Sequence, residues 1–239
     1  MTTLAAATWP DIQDRPLVLV PLGSIEQHGP HLPLDTDAVI AEAVTTRVAK
    51  LLRDEPVFVA PVLAYGASGE HQTFAGTSSI GTDALRLLLV ELVRSMSTWA
   101  GRIVLVNGHG GNLAAVTDAV ARLRDEGHDV AWAPCTGDDV DAHAGYTETS
   151  LMLYLRPSAV RLDRAEPGET APLEELWPTL IRDGVGAVSA NGVLGDPSGA
   201  SADEGARCLE AMAAGIAALI RAGRADARGM LQRAEALAS

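Results

Sequence analysis

Residues 17–37 read LVLVPLGSIEQHGPHLPLDTD. The first six, residues 17–22, are an unbroken apolar run, the signature of a strand buried on both faces. The rest is a Gly- and Pro-bearing loop that carries Glu26, His28, His31 and Asp37. Apolar residues at helical spacing follow over 36–52, with Asp35 placed to cap that helix. Strand, polar loop, helix is the opening of a β-α unit.

The same order repeats downstream. The spacing predicts strands over 57–62, 102–106 and 129–133. It predicts helices over 82–99 (Leu85, Leu88, Leu89 and Leu92 on one face), 112–126 (ended by Gly127), 147–155 and 202–222. Alternating strands and helices predict an α/β fold, a mainly parallel sheet with helices on both faces. No repeat or low-complexity linker interrupts residues 1–239, so one domain is expected. Residues 157–201 are less regular and are read as a lid, an oligomer contact or a small hairpin.

The 239 residues carry 18 Lys+Arg against 31 Asp+Glu, a net charge of −13, which excludes the basic face a nucleic-acid binder needs. Lys50 is the only lysine, between Ala49 and Leu51, which excludes a P-loop and disfavours lysine Schiff-base chemistry. Cys135 and Cys208 form no CxxC pattern, so a disulfide framework is not indicated and a cytoplasmic setting is expected. Neither a signal peptide nor a membrane span is read.

Ligands of open α/β sheets bind at the carboxyl ends of strands. The four segments that follow the predicted strands contain GSIEQHGPHLPLDTD (23–37), YGASGEHQTFAGTSSIG (65–81), NGHGGN (107–112) and DAHAGYTETS (141–150). In a parallel sheet all four meet at one edge. Glu26 and His28 share a face if their loop is extended. With Asp37, His109 and Glu148 they make two imidazoles and three carboxylates, a set suited to Zn, Fe or Mn. Five ligands exceed one tetrahedral site, so two divalent ions are expected, with Asp37 as the shared carboxylate. His128 reads as a solvated turn residue and His31 as a brace for its loop. Asn107 and Asn112 read as turn-holders, and Thr147 and Thr149 as caps for the helix carrying Glu148. No HExxH, GxSxG or GxGxxG motif is present.

LGSIEQHGPHLPLDTD, NGHGGN and HAGYTETS together resemble the creatininase family of metal-dependent amidohydrolases. The likeness runs from about residue 17 to 155, and more weakly to the last helix. YGASGEHQTFAGT, DAHAGYTETS and GAVSANGVLGDPSGASADEG are similar to the branch of that family that serves mycofactocin maturation. The resemblance implies a three-layer α/β sandwich with a dinuclear centre of Zn, Fe(II) or Mn. Glu26, Asp37 and His109 would hold one ion, and His28, Asp37 and Glu148 the other. It implies His143 as a proton shuttle near the substrate and a homo-oligomer, a hexamer or larger. For this branch it implies a modified precursor peptide as substrate, cut to release its C-terminal Val-Tyr-derived unit.

Gly110 and Gly111 are expected to offer N–H groups to an oxyanion, Ser68 to face the substrate, and Glu70 or His71 to orient substrate or ligands. Creatininase itself has a Glu at the position of Gly111, and a tryptophan just before the HAG segment where this chain has Asp138, Asp139 and Val140. Both departures predict a more open site than one shaped for creatinine. A small-molecule amidohydrolase acting on a cyclic amide or formamide is the alternative enzyme. A non-catalytic metal-binding scaffold is the alternative of another class.

Overall fold

In the computed structural model, which describes residues 2–136 and 141–233, five parallel strands form one sheet in the order β1-β3-β2-β4-β5. They are β1 (Thr2–Thr3), β2 (Leu17–Leu22), β3 (Val57–Val59), β4 (Arg102–Asn107) and β5 (Val130–Pro134). β2 lies at the centre with every residue buried, as its apolar run requires. Its side chains alternate between two cores. Leu17 and Leu19 point to one side, into a core with α1 (Thr36–Leu51), α4 (Tyr146–Leu155) and α6 (Ala202–Ala222). Val18, Val20 and Leu22 point to the other, among side chains of α2 (Thr82–Met96) and α3 (Leu113–Asp125). The result is helix, sheet, helix in three layers. Each fully buried Leu or Val contributes about 1.5–3 kcal/mol.

Pro21 stands inside this central strand although it has no N–H to offer. It is tolerated because β3 ends at Val59. Beyond that point the Ala60 N–H still donates to the Leu19 carbonyl at 2.9 Å, and the chain then meets β2 at Leu63, whose N–H donates to the Pro21 carbonyl at 2.9 Å. The expected strand over 57–62 is therefore shorter, and the segment after it peels away toward the loop of His71.

Other expectations shift in detail. Leu88 is exposed, and the buried face of α2 is Leu85, Leu89, Val90, Val93 and Met96. Asp35 occupies the N-cap position of α1 but makes no side-chain cap. Its carboxylate takes Arg156 Nη1 at 2.6 Å instead. The alanine-rich α6 packs closely against α4. A Cβ at Gly205 would stand 2.0 Å from the Ser150 carbonyl oxygen, so only glycine allows this approach.

Residues 157–201 do not form a hairpin of their own. They contain α5 (Leu173–Asp183), with Pro178 inside it, and a return strand-like segment. Leu176 and Leu180 of α5 pack with Val185, Val188, Leu194 and Phe74 in a small third core. Leu194 then pairs antiparallel with His143 through bonds of 3.1 and 2.9 Å. This irregular stretch thus fixes the segment on which His143 sits.

Candidate metal centre

Because the strands are parallel, the chain leaves β2, β3, β4 and β5 at the same edge of the sheet. One asparagine ties three of the departing segments together. Asn112 donates to the Gly23 carbonyl at 3.0 Å and to Asn107 Oδ1 at 3.1 Å, and accepts the Ala67 N–H at 2.8 Å. Asn107 in turn donates to the His109 carbonyl at 2.7 Å. Both asparagines hold the loops, as read from the sequence.

The expected ligands converge. His28 Nε2 lies 3.0 Å from Asp37 Oδ1 and 3.8 Å from Glu148 Oε2. His109 lies 3.1 Å from Asp37 Oδ2 through Nδ1 and 3.2 Å from Glu26 Oε2 through Nε2. Asp37 is thus central to both groups. Glu26, His28 and Asp37 have ligand atoms close enough to share an ion, as do His28, His143 and Glu148, and Glu26, His71 and His143. His71 Nε2 is 3.2 Å from Glu26 Oε1, so it stands beside a candidate ligand oxygen itself.

Charge at this edge is crowded and buried. Burial would raise the Glu26 pKa, but the charge on His109 carries it down to about 2. Asp37, pushed up by burial and pulled down more strongly by His28 and His109, lies well below the ordinary carboxylate range. Burial works against a charged His28, yet Asp37 beside it raises the ring to about 10. His109 is likewise lifted by Glu26 and Asp37 against its burial. Glu148 is raised to about 7 by burial. Burial lowers His71, and burial with the nearby charge of His28 lowers His143 well below 6.5. In the metal-free chain two imidazolium rings therefore neutralise the carboxylates.

Two observations show that this donor set fits cations. Glu26 Oε1 is buried and accepts no well-directed hydrogen bond, a costly state for a carboxylate oxygen. Ser24 Oγ lies 2.7 Å from Glu26 Oε2 and 2.9 Å from Asp37 Oδ2, although one hydroxyl has one proton to give. Mixed imidazole and carboxylate donors with spare lone pairs suit Zn, Fe(II) or Mn.

A model of the family described as creatinine amidohydrolase matches residues 5–220. The chain belongs to the creatininase family. The mycofactocin precursor peptide peptidase of Mycolicibacterium smegmatis is 55% identical over 219 residues, 90% of this chain and 89% of that protein. The protein of the same name from Mycobacterium tuberculosis is 56% identical over 204 residues, 82% of this chain and 81% of that protein. The creatinine amidohydrolase of Pseudomonas putida is 30% identical over 252 residues, 90% of this chain and 94% of that protein. A solved structure of creatininase described with Mn has a TM-score of 0.75 at 29% identity, covering 92% of this chain and 98% of that one. A mutant creatininase of Zn-Zn type gives 0.75 at 29%, covering 92% and 97%.

Within this creatininase-family site, His143 is placed with care. Its Nε2 lies 2.9 Å from the Gln27 carbonyl oxygen and its Nδ1 3.7 Å from Glu26 Oε1. The next residue, Ala144, has φ +54°, a left-handed conformation unfavourable for a residue with a Cβ. Its N–H donates to Glu148 Oε2 at 2.6 Å, which holds the turn. A cavity of about 220 Å³ opens here, lined among others by Asp37, His109, Gly110, His143 and Glu148. Gly110 and Gly111 begin a short helical turn, where N–H groups lack internal acceptors. Ser68 is buried, with its Oγ unpartnered.

Several expectations need correction. Thr149 does not cap its helix; its Oγ1 meets His31 Nε2 at 2.9 Å, so His31 braces the loop against α4. Thr147 makes no side-chain cap either; its N–H donates to Asp141 Oδ1 at 3.0 Å. The space above Gly111 is not open but holds the Glu70 carboxylate. Asp138, Asp139 and Val140 lie outside the described residues.

Gln27 and Ser24 were missed among the polar loop residues. The Gln27 amide accepts the Gly29 N–H at 2.9 Å and reaches the Gly192 carbonyl at 3.0 Å and His71 Nδ1 at 2.9 Å. Its place between two candidate ligands was the only signal available.

Proposed function

We propose that this protein is a dinuclear metal-dependent peptidase that cuts the mycofactocin precursor peptide, releasing its modified C-terminal Val-Tyr-derived unit. The observation that carries the reading is the set of Glu26, His28, Asp37, His109 and Glu148, all but Glu148 buried, gathered at one sheet edge beside a cavity that Asp37, His109 and Glu148 line. The mycobacterial peptidases, alike over most of their length, supply the substrate class. Glu26, Asp37 and His109 would hold one ion and His28, Asp37 and Glu148 the other. Zn, Fe(II) and Mn all suit the set.

Ions bound there would supply Lewis acidity, acidifying a water and polarising the scissile carbonyl. The chain's own residues handle the proton. With its Nε2–H given to the Gln27 carbonyl, His143 is neutral and keeps a lone pair on Nδ1, the nitrogen nearer Glu26. It takes the proton from the attacking water and passes it to the nitrogen of the departing amine, so the peptide C–N bond breaks without expelling an amide anion. The N–H groups of Gly110 and Gly111 would receive the developing oxyanion. Ser68, Glu70 and His71 border the site from the 68–71 turn.

No helix among the described residues is long and apolar enough to cross a membrane. We place the protein in the cytoplasm, as one domain spanning the chain, assembled as a homo-oligomer of hexamer size or larger.

Mass spectrometry of the metal-loaded protein with the modified precursor peptide tests this reading. The expected result is a new fragment of the C-terminal unit that disappears with Glu26→Ala. An intact peptide in the presence of fully metal-loaded wild-type protein would overturn the peptidase reading.

A further inference from the structure

His109 presents its Nε2 edge to a tight group of oxygens. The Ala67 carbonyl lies 3.2 Å away in a well-directed hydrogen bond, with Glu26 Oε2 at 3.2 Å and Glu70 Oε1 at 3.3 Å. The Ala67 and Glu70 acceptors belong to the 67–70 segment, which reaches β4's loop from the far side of β2. They pass over Gly111. A Cβ built on Gly111 would stand 2.2 Å from Glu70 Oε1, 2.4 Å from the Ala67 oxygen and 2.4 Å from His109 Nε2. All three distances are below any real carbon contact, and the Ala67 oxygen is backbone and cannot swing aside. Glycine at 111 is therefore a condition of the approach.

The 67–70 segment is itself held from outside. Its Ala67 N–H is bound by Asn112 at 2.8 Å. A Cβ on Gly184, at the end of α5, would stand 2.7 Å from the Glu70 carbonyl oxygen, so α5 closes against the back of this turn. Glu70 keeps its side chain 30% exposed while its tip meets a ring that is 5% exposed.

We infer that Glu70 is a positioning residue for His109. Together with the Ala67 carbonyl it accepts the Nε2–H of that ring, and Gly111 lacks a side chain so that both acceptors can reach it. Once the ring loses its second proton to make room for an ion, it is thereby fixed in one tautomer, with Nδ1 toward Asp37 Oδ2 at 3.1 Å. His28 is fixed the other way round. Its Nδ1 meets the Glu26 carbonyl at 3.2 Å, which leaves Nε2 toward Asp37 Oδ1 at 3.0 Å. The two rings thus address the shared carboxylate through different nitrogens. A carboxylate behind a ligating imidazole orients the ring and raises its basicity.

The inference rests on the metal-centre reading but not on the identity of the substrate. The test is Zn²⁺ affinity by chelator competition, on wild type, Glu70→Ala, Glu70→Gln and Gly111→Ala. Glu70→Ala is expected to weaken the affected site about 10–100-fold, the usual cost of losing such a partner. Glu70→Gln keeps an acceptor oxygen at the same reach and is expected to recover most of that loss. Gly111→Ala is expected to weaken binding with Glu70 still present. Thermal midpoints of the variants check that each is folded.

Glu70→Ala binding Zn²⁺ within about twofold of wild type would overturn the inference. Glu70→Gln as weak as Glu70→Ala would overturn the acceptor role. A separate readout uses ¹⁵N-histidine protein loaded with ¹¹³Cd. Coupling of cadmium to Nδ1 of His109 and Nε2 of His28 supports the two tautomers, and coupling to Nε2 of His109 refutes them. A wild-type protein that binds Zn²⁺ but cuts no peptide would remove the proposed substrate and leave this inference standing.

Discussion

The Nε2 atom of His143 lies 2.9 Å from the backbone carbonyl oxygen of Gln27, while its Nδ1 faces Glu26 at 3.7 Å. A carbonyl oxygen only accepts, and the two hydrogens of the Gln27 amide, whose nitrogen also lies 3.0 Å from this Nε2, go to the Gly192 carbonyl and His71 Nδ1; with that assignment Nε2 keeps its hydrogen and Nδ1 is the basic nitrogen. One loop therefore supplies both the candidate ligands Glu26 and His28 and the group that sets the tautomer of the proposed proton carrier. His143→Ala is expected to lower kcat by about 10²–10⁴-fold, the usual share of general acid–base catalysis. Bound metal should stay at the wild-type level. Loss of metal in step with loss of rate would instead make His143 a ligand.

Metal loading is expected to release protons. His28 holds its proton up to about 10 and His109 well above the ordinary range, both because of the acids beside them. Neither can donate a lone pair to an ion until that proton leaves. At pH 7 about two to three protons per chain should appear on loading, two from these rings and part of one from Glu148, raised to about 7, and affinity should fall as pH falls. Calorimetry in buffers of different ionisation enthalpy reads this number directly. A value of zero would contradict the charge state assigned to the two rings.

Stability of the metal-free protein should fall between neutral and alkaline pH. The folded His28 pKa is raised from 6.5 to about 10, so its contribution is complete below 6.5 and is lost as pH rises through 10. Glu148, raised from 4.5 to about 7, acts in the same direction at lower pH, favouring the fold less as it ionises. The melting temperature of the chelated protein should therefore drop from pH 6 to pH 9. The loaded protein should not follow it. Parallel curves for both forms would show that these groups do not govern stability.

Ser24→Ala removes the hydroxyl shared by Glu26 and Asp37. It is expected to weaken metal binding by about tenfold or more, because both carboxylates lose a partner that fixes their direction. The fold should survive, since Ser24 and alanine differ by one oxygen. Unchanged affinity in a chelator titration would reduce Ser24 to a loop residue.

Gly205→Ala puts a methyl group 2.0 Å from the Ser150 carbonyl oxygen in the α4–α6 contact. Overpacking of this kind costs about 1–3 kcal/mol. Urea denaturation should show the loss, and metal affinity should also decline because α4 carries Glu148. A stability equal to wild type would mean that the two helices separate freely.

Much of the architecture was readable because β2 is apolar on both faces and each strand hands over to a polar loop. Only a parallel sheet brings Glu26, Asp37, His109 and Glu148 to one edge, and that edge is where they stand. What could not be read depends on partners distant in sequence. Gln27 gains its role from Gly192 and His71, and Glu70 from a missing Cβ at 111. Leu88 fits a helical period as well as Leu89 does; only the neighbouring α3 decides which of them is covered. The Leu194 pairing that steadies His143 has no local motif at all.

That pairing has a consequence for how the proposed centre would acquire its ions. A chain still on the ribosome and ending after α3 already has Glu26, His28, Asp37 and His109. It lacks Glu148, and it lacks the Val193–Gly195 stretch that seats the neighbouring HAG turn. No partial product ending before Leu194 presents the ligand set with the HAG turn seated beside it, unlike a zinc finger whose short loop closes around its ion as it forms. The choice of metal therefore falls after translation, when the finished fold meets the free-ion levels of its surroundings. The same gene product made under zinc-rich or iron-rich growth should emerge with different occupants.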